Sequence, residues 1–467
     1  MPSYAVRAED AVFLHAQTES CPQQVGAVVL LDAPGVDLAG LRSSVSARVG
    51  ELPLLRRRLI PARGRWARPR WAIDESLDVY SRVTEITADD DSRTSLEQIV
   101  GHYFAEPVDP ARAAWQLLLV RTTSRGPGAI VVKAHHALGD SYALISELSG
   151  LFDPRGSGGK GSLPESGRPP RGMRGGGSPR KGAVAPRRKT APPGRHRART
   201  AFRVTRGLAG MALAARPGPI GVDGGVADYR REFAAVSLNA RMVAAQARLL
   251  GAGTVDLVLA VAAGALAPLM AEQGQSAVGR TVRAMVPCSL RSAGRLPAGR
   301  GAPVQADGAA SGGSSGPGNR IAGVMLDLPV GPMSLAERVA VVRAVRRARL
   351  RRGDADASAF VLHAMNMLPA PLQRAIARTA FTSRRFSLIV SVFPGTRQSR
   401  QLLGAEVTEV FPVLALADGV GLALGAMTWG RSLSIGIMSN PALIPDAAVL
   451  AAGIRNAFAA EDSGSAH

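Results

Sequence analysis

The sequence predicts an α/β protein built as two halves joined by a long linker. Three observations carry this reading. Residues 8 to 152 alternate between helix-like and strand-like apolar spacing, and residues 228 to 461 do the same. Between them runs a tract of Gly, Pro, Arg, Lys and Ser with almost no large apolar side chain. At 467 residues the chain is long enough to bury two such cores.

The first half is placed at residues 1–153. Asp10-Ala11-Val12-Phe13-Leu14 opens a short apolar helix, and Gln24 to Leu31 is a mostly apolar strand. Leu38 to Leu55 has helical spacing. Trp115 to Thr122 and Ala129 to His136 are strand-like runs, and Ser141 to Leu151 returns to an amphipathic helix. Residues 154–227 form the linker. The tract to about residue 200 cannot bury enough surface to offset its ordering entropy, so the linker is expected to be largely disordered.

The second half is placed at residues 228–461. Glu232 to Leu238, Thr281 to Leu290, Ile321 to Val330, Phe386 to Val392, Gly419 to Met427 and Ser432 to Met438 read as strands. Asn239 caps a helix to Leu250, and a second helix runs from Thr254 to Met270. Ser334 to Arg352 is a helix whose Glu337 stands three residues after its Ser cap, a capping box. Pro445 opens the last helix. A second low-complexity stretch, near 294–318, is expected to be a disordered surface loop.

The formal net charge is +21, and its location matters more than its size. Between Arg155 and Arg206 stand 15 Lys/Arg against one acid, Glu165, which accounts for two thirds of the excess. The two cysteines, Cys21 and Cys288, lie far apart and form neither a disulfide framework nor a metal spacing. The first 17 residues carry Arg7, Glu9 and Asp10, so no signal peptide is expected there. The most apolar stretch, Val255 to Met270, is interrupted by Asp256, and no transmembrane helix is expected. A cytoplasmic protein fits these features. The basic linker lacks interleaved aromatics, which argues against specific nucleic-acid binding and leaves contact with anionic lipid as the more useful expectation.

Chemistry concentrates in His135-His136-Ala137-Leu138-Gly139-Asp140-Ser141, directly after an apolar strand. Side chains alternate faces along a strand, so the two histidines are expected to point opposite ways and only one can meet a given substrate. An imidazole at a strand end suits general-base work, since it is neutral near physiological pH and still accepts a proton. Gly139 permits a turn, and Asp140 is most simply a helix N-cap. No metal site is expected, because adjacent strand residues diverge and no third ligand is near. No Gly-x-Ser-x-Gly elbow is present, and the Gly159-Lys160 pair lacks the rest of a phosphate loop.

This run resembles the His-His-x-x-x-Asp-Gly motif of the wax ester synthase/diacylglycerol acyltransferase family, a motif shared with other CoA-dependent acyltransferases and peptide condensation domains. Further blocks resemble the family in the same order. They are Asp10 to Leu14 with Pro22 and Val25-Gly26; Pro53 to Leu59 with Pro69-Arg70-Trp71; Trp115-Gln116-Leu117; Val286 to Arg291; Gly318-Asn319-Arg320; and Ser391-Val392-Phe393-Pro394-Gly395. The resemblance implies two chloramphenicol-acetyltransferase-like subdomains with a tunnel between them. It implies transfer of a long-chain acyl group from acyl-CoA, as co-substrate with no bound cofactor, to diacylglycerol or a fatty alcohol. His136 would be the base, His135 its neighbour and Asp140 a local structural residue, with Arg291 as the candidate partner of Asp140. Ser141, Asp256, Asn319, Pro394 and Gly395 would support substrate or structure. Contact with an anionic membrane or lipid droplet would run through residues 155–206. Ser141 stands where the motif has Gly, and Thr254-Val255-Asp256 is one residue shorter than the family block, which would turn the following helix face by about 100° unless the loop absorbs it. Two other readings are an acyltransferase or condensation-type enzyme of secondary metabolism and a non-catalytic lipid-binding homologue.

Overall fold

The computed structural model describes residues 3–32, 36–64, 66–122, 126–151, 153–154, 202–210, 220, 227–289, 319, 321–396 and 400–459. They form a mixed α/β fold with two large sheets and one small one.

The first large sheet centres on strand Gln24–Leu31, which pairs antiparallel with the histidine strand Gly126–His135 on one side. Next to the histidine strand lie Trp115–Thr122 and then Val83–Thr87. Val131 and Val132, neighbours in the histidine strand, are both buried and belong to opposite apolar clusters. This strand is therefore covered on both faces, which explains its near-continuous apolar run. The second large sheet runs in the order Ile321–Pro329, Thr281–Ser289, Leu388–Thr396, Leu422–Trp429, Ser432–Ser439, Glu232–Asn239.

The other neighbour of Gln24–Leu31 comes from far along the chain. Strand Ala405–Val413 lies antiparallel to it, with Val407 opposite Leu31 and Val413 opposite Gly26. Arg400–Leu402 and then Asp153–Pro154 extend the same edge. The boundary expected at residue 228 is therefore corrected for this segment: residues 400–413 belong to the second half in sequence and complete the first half's sheet in space. Ala405–Val413 also presses on the second sheet. Gly425 and Gly436 face each other across two paired strands, and a Cβ on Gly436 would lie 2.1 Å from the Pro412 carbonyl oxygen. Only glycine leaves room for that backbone.

Helix caps follow the sequence closely. The Asn239 side chain accepts from the Arg241 and Met242 N–H groups, and Ser334 and Glu337 form the reciprocal box. Helix Thr254–Glu272 is long and apolar enough to cross a membrane by length and composition, but 67% of its apolar window is buried within the second half's core. Asp256 lies in its first turn, 2% exposed, and pairs with Arg346 of helix Leu335–Arg352 through Nε at 2.6 Å and Nη2 at 3.1 Å. The short block Thr254-Val255-Asp256 forms the first turn of this helix, which keeps a buried apolar face.

The linker expectation needs one correction. Residues 202–210 are helical, and Arg203 pairs with Asp356 at 2.7 Å. An apolar helix-competent run begins at Phe202, which the Gly/Pro/Arg composition before it obscures. Residues 155–201, and the loop near 294–318, lie outside the described residues.

Candidate active site

The histidine strand ends at His135, and His136–Leu138 form a single 3₁₀ turn. His136 thus stands outside the strand, so strand alternation does not set how the two rings are disposed, a correction to the sequence argument. His135 is 1% exposed and both ring nitrogens are engaged. Nδ1 accepts from the Ala137 N–H at 3.1 Å, and Nε2 lies 2.7 Å from Gln17 Oε1, so Nε2 carries the proton. Burial, and the neighbouring His136, push its pKa down to about 3.

His136 is held differently. Its ring stacks on Phe13, with centroids 3.7 Å apart and planes 6° from parallel. Its main-chain N–H donates to the Gln23 carbonyl at 2.9 Å, and its carbonyl accepts from Asn319 Nδ2 at 3.0 Å. Among the described residues Nδ1 is buried with no hydrogen-bond partner. Burial pushes the imidazole down to about 4. The main-chain groups of His136 and Gly139, the Asp140 carboxylate and the Asn319 side chain pull the other way. The ring is therefore neutral at physiological pH.

Asp140 is buried and caps helix Ser141–Ser149, accepting from the Ala143 N–H at 2.8 Å. That fits the capping reading. Gly139 has φ of 173°, an extended conformation open to any residue, so the turn that ends there does not draw on glycine's freedom. Ser141 is the first residue of a right-handed helix, and the only described non-glycine residue with positive φ is Leu403. A helical backbone at this position does not call for glycine.

Asn319 reaches the same place from the second half. Its main-chain N–H and Nδ2 both donate to Asp10 Oδ1, at 2.7 and 2.8 Å. Burial raises Asp10 to about 6, and the two Asn319 bonds oppose the rise. Asp10 and Phe13 stand on helix Ala8–Ala16, and Gln17 follows as its C-cap. At spacings of three and seven residues they share one helix face. That face touches Asn319, His136 and His135 in turn. Sequence reading placed Asp10 and Phe13 in a family block without assigning them to the site, and this spacing was the signal available.

Pro394 and Gly395 end strand Leu388–Thr396, where the pairing register shifts. A Cβ on Gly395 would fall 1.5 Å from the Thr428 carbonyl oxygen, so the glycine admits the neighbouring backbone. Phe393, just before, lines a narrow apolar cavity of about 30 Å³ with Ala134, Leu144, Ile145, Leu148 and Met427. This cavity lies between the histidine strand and the helix that follows the motif. The seam between the sheets is built by Val28, Val131, Phe233, Met285, Phe386 and Phe411 among others. The site thus unites His135, His136, Asp140 and Asn319. Asp256 is committed to Arg346, and Arg291 lies outside the described residues.

The model of the "wax ester synthase/diacylglycerol acyltransferase catalytic domain" matches residues 6–248, and that of the "WS/DGAT C-terminal domain" matches residues 317–460. A Mycobacterium tuberculosis protein named "Putative diacyglycerol O-acyltransferase" is 26% identical over 475 residues, covering 95% of this chain and 88% of its own length. Another from that organism, named "Probable diacyglycerol O-acyltransferase", is 24% identical over 467 residues, covering 96% and 94%. Among solved structures, the wax ester synthase/diacylglycerol acyltransferase from Marinobacter aquaeolei VT8 superposes with a TM-score of 0.64 at 16% identity, over 98% of each chain. A variant starter condensation domain of rhizomide synthetase in complex with C8-CoA reaches a TM-score of 0.56 at 16% identity, over 98% of this chain and 94% of that one.

Proposed function

Because the chain belongs to the wax ester synthase/diacylglycerol acyltransferase family and is an acyltransferase, we propose that it transfers a long-chain acyl group from acyl-CoA to diacylglycerol or a fatty alcohol, with His136 as general base. The observation that carries the assignment is the division of labour between the histidines. Both nitrogens of His135 are spent on Ala137 and Gln17, whereas His136 is a neutral ring fixed by stacking and by its main chain. A base needs a free nitrogen lone pair, and only the second ring can offer one.

In the proposed reaction the acceptor hydroxyl gives its proton to His136 as its oxygen bonds to the thioester carbonyl carbon. The tetrahedral intermediate then collapses with cleavage of the C–S bond, and the imidazolium proton passes to the leaving CoA sulfur. The apolar cavity beside Ala134 supports a path for the acyl chain, and it would have to widen to admit one. The basic stretch 155–206 would tether such an enzyme to an anionic membrane or lipid droplet.

The test is CoA release from long-chain acyl-CoA with diacylglycerol, hexadecanol or a long-chain amine as acceptor. Turnover with the alcohols should fall at least about a hundredfold in His136→Ala. Equal rates in the two proteins would remove His136 as the base. Turnover with the amine alone would replace the ester-forming reading with a condensation-type one.

A further inference from the structure

We propose that Asn319 sets the tautomer of His136: its Oδ1 takes the Nδ1–H, which leaves the Nε2 lone pair for the attacking hydroxyl. This rests on His136 being the base. Asn319 is 2% exposed, and its Oδ1 is one of the buried polar atoms without a partner, as is His136 Nδ1. One is an acceptor and the other a donor in the required tautomer, and leaving either unmade in a buried site is costly. The two residues already touch, because Asn319 Nδ2 donates to the His136 main-chain carbonyl. The amide cannot be turned over. That would set Oδ1 against the Asp10 carboxylate and the His136 carbonyl, both acceptors. Asp10 thus orients Asn319, and Asn319 orients the imidazole, while Phe13 confines the ring to rotation in its own plane. The His136 main chain, the Asp140 carboxylate and the Gly139 main chain raise the basicity of His136, and the Asn319 side chain adds to them, as an acceptor at Nδ1 would.

Asn319→Leu and Asn319→Asp, with thermal melts to confirm folding, are compared by kinetics and by histidine ¹⁵N chemical shifts, assigned by difference from His136→Ala. In Asn319→Leu we expect kcat to fall between about 10- and 100-fold, the scale for losing a group that orients a histidine, with KM for acyl-CoA unchanged. Its acid limb should move to lower pH and the Nδ1–H tautomer should be lost. Asn319→Asp keeps an acceptor at that position and should retain the tautomer with the acid limb moved to higher pH. An unchanged tautomer and kcat in Asn319→Leu, with His136→Ala still inactive, would overturn the positioning role and leave the base assignment standing. Full activity in His136→Ala would instead remove the base assignment.

A separate observation assigns an interaction surface. The chain has no acid between Leu52 and Ile73, where it carries seven arginines, and none between Ala357 and Ala405, where it carries six. The fold joins these stretches: Arg68 Nη2 donates to the Asn366 and Leu368 carbonyls. Around that junction stand Trp66 at 66% exposure, Met367 at 86% and Leu372 at 51%, flanked by exposed Arg63 and Arg374. Asn366 in turn bonds the Ala8 N–H and Glu9, at the start of the helix that carries Phe13 beneath His136. We infer that this apolar knob with a basic rim docks on an anionic lipid bilayer. The rim complements anionic headgroups, and the knob enters the interface.

The chain's other three tryptophans, Trp71, Trp115 and Trp429, are buried, so Trp66 reports on insertion. Vesicles of phosphatidylglycerol and phosphatidylcholine should blue-shift its fluorescence, in the full chain and after deletion of residues 155–200. The shift should vanish in Trp66→Phe, and flotation with the vesicles should weaken in Met367→Asp with Leu372→Asp. Loss of all binding on deleting 155–200, or a blue shift that survives Met367→Asp with Leu372→Asp, would overturn this surface. So would equal binding to a nucleic acid duplex that competes with the vesicles.

Discussion

His135 and His136 are neighbours in the chain and part company in what surrounds them. His135 is a structural post whose two hydrogen bonds join the strand end to Ala137 and Gln17. His135→Ala should therefore lower stability by about 2–4 kcal/mol, the scale for a lost buried hydrogen-bonded side chain, which a thermal melt would read. An unchanged melt with lost turnover would make it a chemical residue instead. His136 must be unprotonated to act, and burial holds it near 4, so kcat/KM should rise with pH through that value and be level across neutrality. An acid limb centred near the ordinary imidazole value would contradict this environment. The same groups set stability. Both histidines sit below their unfolded value of 6.5, so the unfolded chain binds more protons between the two values. Their contribution is full above 6.5 and is lost as pH falls toward the folded values. Asp10 acts in reverse. Its folded value of about 6 exceeds 3.8, so the folded chain holds the extra proton in that window, and stability declines as pH rises through it. Asp10→Asn keeps an acceptor for Asn319 and removes that titration. Its melting temperature should gain on the parent's from pH 4 to pH 7, and a constant difference would refute the assignment. The motif residues were legible in the sequence because their types are chemically distinctive. Phe13 and Gln17 were not, because an apolar and a neutral side chain on a short helix look like packing until a histidine lies against them.

Whole elements were most legible where a local rule decides them. Gln24–Leu31 and Trp115–Thr122 stand where apolar spacing placed them, and Asn239, Ser334 and Asp140 cap the helices their positions suggested. Helices Arg93–Ala105, Asp354–Met365 and Ala370–Ala380 were not read from the sequence, and each fully buries only three or four residues. Close contacts between elements leave no periodic trace at all. The Gly425–Gly436 pair reads as two unremarkable glycines in strands, yet it receives Pro412 of the intruding strand. Gly436→Ala should cost about 2–4 kcal/mol, since the Pro412 backbone cannot move without dragging both sheets. A melt within error of the parent would show that the strand yields. Asp256 illustrates the opposite hazard. A family block drew attention to it as a site residue, and the fold uses it as a brace to Arg346.

At the scale of the molecule, the sequence suggested two consecutive halves, and the strand pairing interlocks them. Strand order within a sheet is set by contacts hundreds of residues apart, which no local pattern encodes. Gln24 pairs with His135, and Val413 pairs with Gly26, so the strand that braces the histidine strand is itself braced by a segment some 380 residues further on. Residues 1–227 alone would present Gln24–Leu31 as an open apolar edge, without the six pairs that Ala405–Val413 supplies. They would also lack Asn319, one of the contacts that hold His136. That fragment should fail to form a stable monomer, and it should recover soluble structure when refolded with residues 228–467. Size exclusion and circular dichroism of the fragment, alone and mixed, check this. A folded, monomeric residue 1–227 fragment would show that the two halves are independent and that the crossing strand is an accessory. Deleting residues 155–200, by contrast, removes chain that none of the pairings described here requires, so the melting transition should remain single and unshifted. A split transition in that deletion would mean that the linker holds the halves in register, a role that the crossing strand is otherwise sufficient to fill.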